Sequence, residues 1–400
     1  MPMQSPLKGI RVLDLTNVLS GPFCCAQLAY LGAEVIKVEV PGRGDLARQL
    51  GADPALNAGL MGVSFLAQNA GKRSLTLNLK HARGKAILKR LVAGADVLVE
   101  NFRPGVMDRL GVGYETLRAE NPRLIYCAIS GFGQTGPMRD LPAYDQIIQG
   151  LSGAMSITGD GDSAPMRAGF PMADTIGGLT AAMAINAALA GRGEAGSFID
   201  VSMLDSVLAT MGWVVSNYLI AGQVPVPMGN ANFTAAPSGA FRTATAPINL
   251  AANKQEQFEA LCDVIDRPDL VRNPRFARRQ DRLENRAALT EEVEAGFAAF
   301  DVETLVTRLN AAGVPAGPIL TVPEALALEQ VRGRDFLRAF PETPGVDKTV
   351  TNARAGYQMD GAAPDVGLAP PALGQDTDAI LTDLGYEAGD IADLRADGVI

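Results

Sequence analysis

Asp174 is the residue of this sequence best placed to do chemistry. It follows Pro171, Met172 and Ala173 and opens a run dense in Gly and Ala. A carboxylate there has two possible uses. It can cap a helix by accepting backbone N–H bonds. It can also be a nucleophile, kept ionised by the positive end of the helix dipole, with Gly177 and Gly178 leaving room for a bulky ligand. The residues alone leave both readings open. Cys24 and Cys25 lie on the predicted helix after the first strand with no His near them, so buried packing is their expected role. His81, the only histidine, sits among polar residues (LKHARG) and is expected at the surface. With one His, no CxxC pair and no Cys–His grouping, neither a metal site nor a Ser-His-Asp triad is expected.

The basic residues form a second candidate group. Lys72, Arg73 and Lys80 surround a turn-to-strand segment (GKRSLTLNLK), and Arg103 and Arg109 follow a strand end. In an acidic chain such a cluster either holds a phosphorylated ligand or is a solvated face. The loop GFGQTGP places Gly131, Gly133 and Gly136 after a strand; it is either a plain turn or a phosphate cradle. No GxGxxG follows the first strand, where the sequence is LTNVLSGPF, so a dinucleotide fingerprint is missing.

The elements that must position these residues read as an α/β protein. Ile10 to Leu15 is a short apolar strand, Phe23 to Leu31 a helix ended by Gly32, and Glu34 to Val40 a second strand. This βαβ unit predicts a parallel sheet with right-handed crossovers. Arg83 to Val92 reads as a helix, and 96–100 and 124–130 as further strands. Such a sheet binds ligands at the carboxyl ends of its strands, so the loops after Leu15, Glu100 and Ser130 are the ones to watch. Residues 174–190 and 198–222 are predicted helices. A Pro/Gly/Asn-rich linker at 223–241 separates 1–222, the large domain, from 242–325, a smaller α+β domain of charged amphipathic helices. Residues 326–400 follow, Pro- and Gly-rich from 341 to 373, with last helices that need somewhere to pack.

The 400 residues carry 47% hydrophobic and 20% charged side chains, an ordinary globular composition, and a net charge of −9. That charge argues against a nucleic-acid partner. The N-terminal segment has no apolar h-region, and the apolar run from Gly177 to Gly191 is shorter than the ~20 residues of a membrane span. With its four cysteines read as reduced thiols, a cytoplasmic location without a membrane partner is expected.

Several segments in order resemble the family III CoA-transferases, the group that includes formyl-CoA transferase and carnitine CoA-transferase. They are LKGIRVLDLTNVLSGPF at 7–23, LGAEVIKVEVPGRGD at 31–45, KRSLTLNLK at 72–80, VENFRPGVMDRLG at 99–111, NPRLIYCAISGFGQTGP at 121–137, AYDQIIQGLSG at 143–153, MADTIGGLTAAMAINAAL at 172–189 and LGQDTDAIL at 373–381. The resemblance implies a Rossmann-like large domain built from both chain ends, a small domain and an interlocked homodimer. It implies that Asp174 attacks an acyl-CoA and carries CoA as an aspartyl thioester, with no cofactor beyond coenzyme A as substrate. CoA contacts would fall on Val18, Leu19 and Ser20, on Leu77, Asn78, Leu79 and Lys80, on Asn101, Phe102, Arg103 and Arg109, and on Ala143, Tyr144 and Asp145. Acyl-CoA racemases of the same fold have a His where this chain has Tyr144, which favours the transferase; a non-catalytic CoA-binding protein is the third reading. Leu19 stands where the formyl-CoA/oxalate branch has a Gln, and that branch's glycine run is missing near 228–243, which counts against oxalate. The segment from Pro237 resembles members acting on C4 and C5 dicarboxylates through succinyl-CoA or mesaconyl-CoA. Arg167 and Arg242 are candidates for pairing the far carboxylate of such an acid.

Overall fold

The computed structural model describes residues 5–400. Six strands form one parallel sheet: β1 Arg11–Asp14, β2 Glu34–Glu39, β3 Lys72–Thr76, β4 Val97–Glu100, β5 Ile125–Ser130 and β6 Ser197–Ser202, in spatial order β3-β2-β1-β4-β5-β6. Strands β1, β4 and β5 are apolar and covered on both faces, as parallel strands between helical layers must be. Val12 pairs with Val35 on one side and Val97 on the other.

The helices that bear on the site are α1 Ser20–Tyr30, α2 Ala82–Ala93, α3 Asp145–Leu151, α4 Met172–Ala190, α5 Met203–Thr210 and α6 Gly212–Ala221. One core layer places α1 and α4 on the sheet face that carries Val12, Val35, Val99 and Cys127. The other face, with Leu13, Ile36, Leu98 and Tyr126, is covered by α2 and by residues near the C-terminus. α4 has 19 residues and is long and apolar enough, by length and composition, to cross a membrane; it buries Ala173, Ala181, Ala182 and Ile185 in the core.

The segment 198–222, expected as a helix, is instead the edge strand β6 followed by two short helices. Its SFIDVS run contains strand-favouring Phe198, Ile199 and Val201, a propensity signal that the apolar content of the longer window hid.

The chain forms two compact units: Met1–Ala154, Arg167–Gln223 and Glu329–Ile400 in the first, Met155–Met166 and Val224–Leu328 in the second. Residues 224–241, expected as a linker, thus fold with the second unit, and Ser238–Phe241 is its first strand, β7. There β7 pairs antiparallel with β8 Ile248–Ala251, and β8 with β9 Ala316–Pro318. Its own core gathers Phe258, Phe276, Phe297 and Leu305. In the first unit the chain's end closes the open edge of β3. Ser74 N–H donates to Asp376 Oδ2 at 2.8 Å, Thr76 N–H to Thr377 Oγ1 at 3.0 Å, and Asn78 N–H to Val399 O at 2.8 Å.

Candidate active site

The sheet order reverses between β1 and β4, where chain connections leave in opposite directions and open a crevice at the strands' carboxyl ends. Asn17 after β1 and Asn101 after β4 bridge that point. Asn17 N–H donates to Asn101 Oδ1 at 2.8 Å, and Asn101 Nδ2 donates to Asn17 O at 2.8 Å.

On one side lies a cleft of about 340 Å³. Val18, Leu19 and Ser20 line it from the β1–α1 connection; Asn101, Phe102 and Arg103 from the end of β4; Ala143 and Tyr144 from the segment before α3; and Asp174 from α4. A second cavity of about 480 Å³ is lined by Leu77, Asn78, Leu79 and Lys80 after β3 and by Arg43 after β2. Asn17 and Phe102 belong to both linings, so the two hollows are neighbours, one lined by the Asp174 carboxylate and the other by Lys80 and Arg43. Phe102 is set at the junction by its N–H, which donates to Glu100 Oε2 at 2.8 Å. Glu100 is itself pushed up to about 7 by burial.

Asp174 does not cap α4. Pro171 holds the capping position without a side-chain bond, and Asp174 is the third residue of the helix. Asp145 of α3 takes the cap: its Oδ1 accepts the N–H of Ala173 at 2.8 Å and that of Asp174 at 3.4 Å. Asp145 is therefore turned from the cleft into the protein, and is 7% exposed. Its Oδ2 accepts from Gln149 Nε2 at 2.7 Å and lies 3.7 Å from Arg167. The expectation that the helix end keeps Asp174 ionised fails for the same reason. Burial, then the neighbouring Asp145 charge, push its carboxyl up to about 7. A carboxylate stripped of water is more basic, and a stronger nucleophile once ionised.

Gly177 and Gly178 make room for protein, not ligand. A Cβ on Gly178 would lie 2.5 Å from Ser20 O, and one on Gly177 2.8 Å from Met203. These contacts seat α4 against α1 and α5. The glycine loop is a turn: Gly133 N–H donates to Ser130 Oγ at 3.0 Å and Gln134 N–H to Asp200 at 2.9 Å, so neither is left for a phosphate.

The basic cluster divides. Lys80 and Arg103 reach the two hollows. Lys72 is buried and bonds Asp14 Oδ2, Pro22 O and Asn69 Oδ1 at 2.8–2.9 Å. Arg73 pairs with Glu34 at 3.1 Å. Arg109 is exposed and lines neither hollow. Arg242, expected as a partner for an acid, already pairs with Glu294. Cys24 and Cys25 are fully buried, and burial pushes the Cys25 thiol well above its ordinary range. His81 caps α2, its Nδ1 accepting Arg83 N–H at 3.2 Å.

The sequence reading missed Asn17, Arg43 and Leu46. The strand-end rule that flagged three other loops applies equally to the one after β2 and would have found Arg43 and Leu46. Among the described residues, no group of three His, Cys, Asp or Glu side chains gathers to hold a metal ion.

Comparison with known proteins matches this architecture to named enzymes. The model of CoA-transferase family III covers residues 7–377. The chain is 42% identical to acetyl-CoA:oxalate CoA-transferase of Acetobacter aceti, over 84% of this chain and 86% of that one. It is 38% identical to succinyl-CoA:glutarate CoA-transferase of Mus musculus, over 99% and 90%. Among solved structures it is similar to a CAIB/BAIF family protein from Brucella suis, with a TM-score of 0.81 and 34% identity over 96% of this chain and 100% of that one. With Rv3272 from M. tuberculosis the TM-score is 0.82, at 32% identity over 94% and 99%. The two neighbouring hollows, the half-buried carboxylate and the near full-length matches converge: the chain belongs to CoA-transferase family III and is a CoA-transferase.

Proposed function

We propose that this enzyme moves CoA from an acyl-CoA, of which succinyl-CoA is the first choice, to a C4–C5 dicarboxylate, with Asp174 as nucleophile. The observation that carries the reading is Asp174 in a cleft that shares Asn17 and Phe102 with the neighbouring cavity lined by Lys80 and Arg43. A long ligand with an anionic nucleotide end and a thioester end fits that polarity.

The steps balance as an exchange. An Asp174 carboxylate oxygen adds to the donor thioester carbonyl and the C–S bond breaks, giving a mixed anhydride and CoA thiolate. The thiolate attacks the aspartyl carbonyl, which leaves an aspartyl-CoA thioester and the free donor acid. The acceptor carboxylate attacks that thioester, releasing CoA thiolate and forming a second anhydride. The thiolate then takes the acceptor's acyl carbon and Asp174 is restored. No water enters, so the thioester energy is kept. CoA is substrate throughout, and the scheme needs no metal or further cofactor.

A relative acting on glutarate and another on mesaconate support the dicarboxylate class. The oxalate relative puts oxalate in the test panel despite Leu19. The proposal includes a homodimer, because Leu219 and Ile220 of α6 and Met183 of α4 are exposed in one chain, and a cytoplasmic setting without membrane or nucleic-acid partner.

The test is a CoA-exchange screen: succinyl-CoA with glutarate, mesaconate, citramalate and oxalate, and mass detection of new thioesters. A new dicarboxylyl-CoA is expected. Hydrolysis alone, or no turnover with any donor, would overturn the reading.

A further inference from the structure

Val18 has φ +66°. A β-branched residue in the left-handed region is an outlier, since its Cβ crowds the backbone there. A glycine would adopt that conformation unaided. Here the surroundings must impose it. The group that touches it is known: Val18 N–H donates to Asp45 Oδ1 at 2.9 Å. Asp45, in the loop after β2, is 1% exposed. It is fixed on its other sides. Oδ1 also accepts Ala47 N–H at 2.9 Å, Oδ2 lies 3.0 Å from Lys37 Nζ, and its own N–H donates to Glu39 Oε2 at 3.0 Å.

The hold extends over three successive residues. Lys37 Nζ donates to Thr16 O at 2.9 Å, Asn101 bonds Asn17 at both its N–H and its carbonyl, and Asp45 takes Val18 N–H. The next residues, Leu19 and Ser20, line the cleft with Asp174, and α1 starts there without a side-chain cap. The direction in which the chain leaves residue 18 decides where that wall stands.

We propose that Asp45 is a positioning residue for the transfer reaction: its bond to the Val18 N–H holds the left-handed turn that sets Leu19 and Ser20 opposite Asp174. It rests on the reading of Asp174 as the nucleophile. Asp45 touches no substrate; it acts through the backbone of residue 18. The alternative is that Asp45 only caps the 3₁₀ turn Leu46–Gln49, with the Val18 bond incidental.

Glycine and alanine at position 18 separate the two. Both remove the isopropyl group, but only glycine takes positive φ freely. The measurement is kcat and KM with succinyl-CoA and glutarate, plus Tm, for wild type, Asp45→Ala, and Asp45→Ala combined with Val18→Gly or Val18→Ala. In Asp45→Ala, Lys37 keeps Thr16 O and Asp14 at 3.8 Å. We expect Asp45→Ala to lower kcat about tenfold or more, as small misplacements do. Val18→Gly should recover most of that loss without a matching recovery in Tm, and Val18→Ala should not. Equal behaviour of the two double variants, or wild-type kcat in Asp45→Ala, would overturn the proposal. Should Asp45→Ala not fold, hydrogen exchange of the wild type decides. The Val18 amide should be protected like those of β1, and loop-like exchange would overturn the hold. A wild type that transfers no CoA, or an Asp174→Asn variant that transfers normally, would instead strike the reading of Asp174 and take this proposal with it.

Discussion

Asp145 caps the helix that carries Asp174, its Oδ1 2.8 Å from the N–H of Ala173 and 3.4 Å from that of Asp174 itself. One carboxylate thus takes up backbone N–H groups at the helix start, and no described residue donates a hydrogen bond to the other. The division leaves Asp174 poor in solvation and rich in reactivity, at a cost in stability that follows from its raised pKa.

That cost gives the first prediction. Burial and the Asp145 charge hold the Asp174 carboxyl at about 7 in the folded chain, above its ordinary 3.8, so the folded chain binds more protons than the unfolded one between those values. Stability therefore falls as pH rises through this window. Asp174→Asn removes the ionisable group. The variant should lose at least ~10³-fold in transfer rate while still binding CoA. Its Tm at pH 8 should equal or exceed that of the wild type, by on the order of a few degrees. Transfer near the wild-type rate would end the nucleophile reading.

The pH profile is the second prediction. In the proposed reaction the attacking form is ionised Asp174, so kcat/KM should fall on the acid side with a midpoint near 7. Asp145→Asn keeps an acceptor for the helix N–H groups but removes a negative charge next to Asp174. The acid limb should move to lower pH. The other charged groups around this end are Arg167, 3.7 Å from Asp145, and Arg103 in the cleft lining; α1, packed on α4, carries none. A limb that stays in place in the Asn variant would show that the Asp145 charge does not act on Asp174.

Reaction class is the third. Tyr144 is 69% exposed, at the position where the family resemblance implies a histidine for a racemase. Incubating a chiral 2-methylacyl-CoA with the enzyme in deuterated water should give no exchange of the alpha proton. Fast exchange without CoA transfer would move the protein to the isomerases.

Assembly is the fourth. α6 buries none of its residues within one chain, and Ile220 is 85% exposed. Such a surface suits an interface larger than the ~1,600 Å² of a standard complex. Sedimentation at micromolar concentration should show a dimer. Ile220→Asp should weaken it, and a stable folded monomer of the wild type would count against it.

Much of the sheet was legible because parallel strands write themselves as short apolar runs: Ile10 to Leu15 and Leu124 to Ser130 needed only composition and a following glycine. The edge strand β6 was not, because it is largely exposed, buried only at Val201 and Ser202, and sits inside a longer apolar window. At the site, residue types and the family pattern pointed to Asp174, but not to its environment. That Asp145 would take the cap depends on α3 meeting α4, a contact between residues 29 positions apart that no local pattern encodes. The glycines misled for a related reason: Gly177 and Gly178 serve a helix crossing that only the packed structure reveals. Val18 is the extreme case, since its residue type argues against the backbone it adopts.

The bonds that tie the chain's end to β3 bear on how the molecule is made. Asn78 Nδ2 donates to Gly398 O, 320 positions away, and Gly398 lines the same cavity as Lys80 and Arg43. A nascent chain that has completed every other strand of the sheet still lacks part of this wall until residue 398 has emerged. Closing so long a loop is slow compared with local structure. During synthesis the open edge of β3 is therefore exposed to other chains, and the cavity proposed for the nucleotide end of the ligand is among the last parts of the site to be completed.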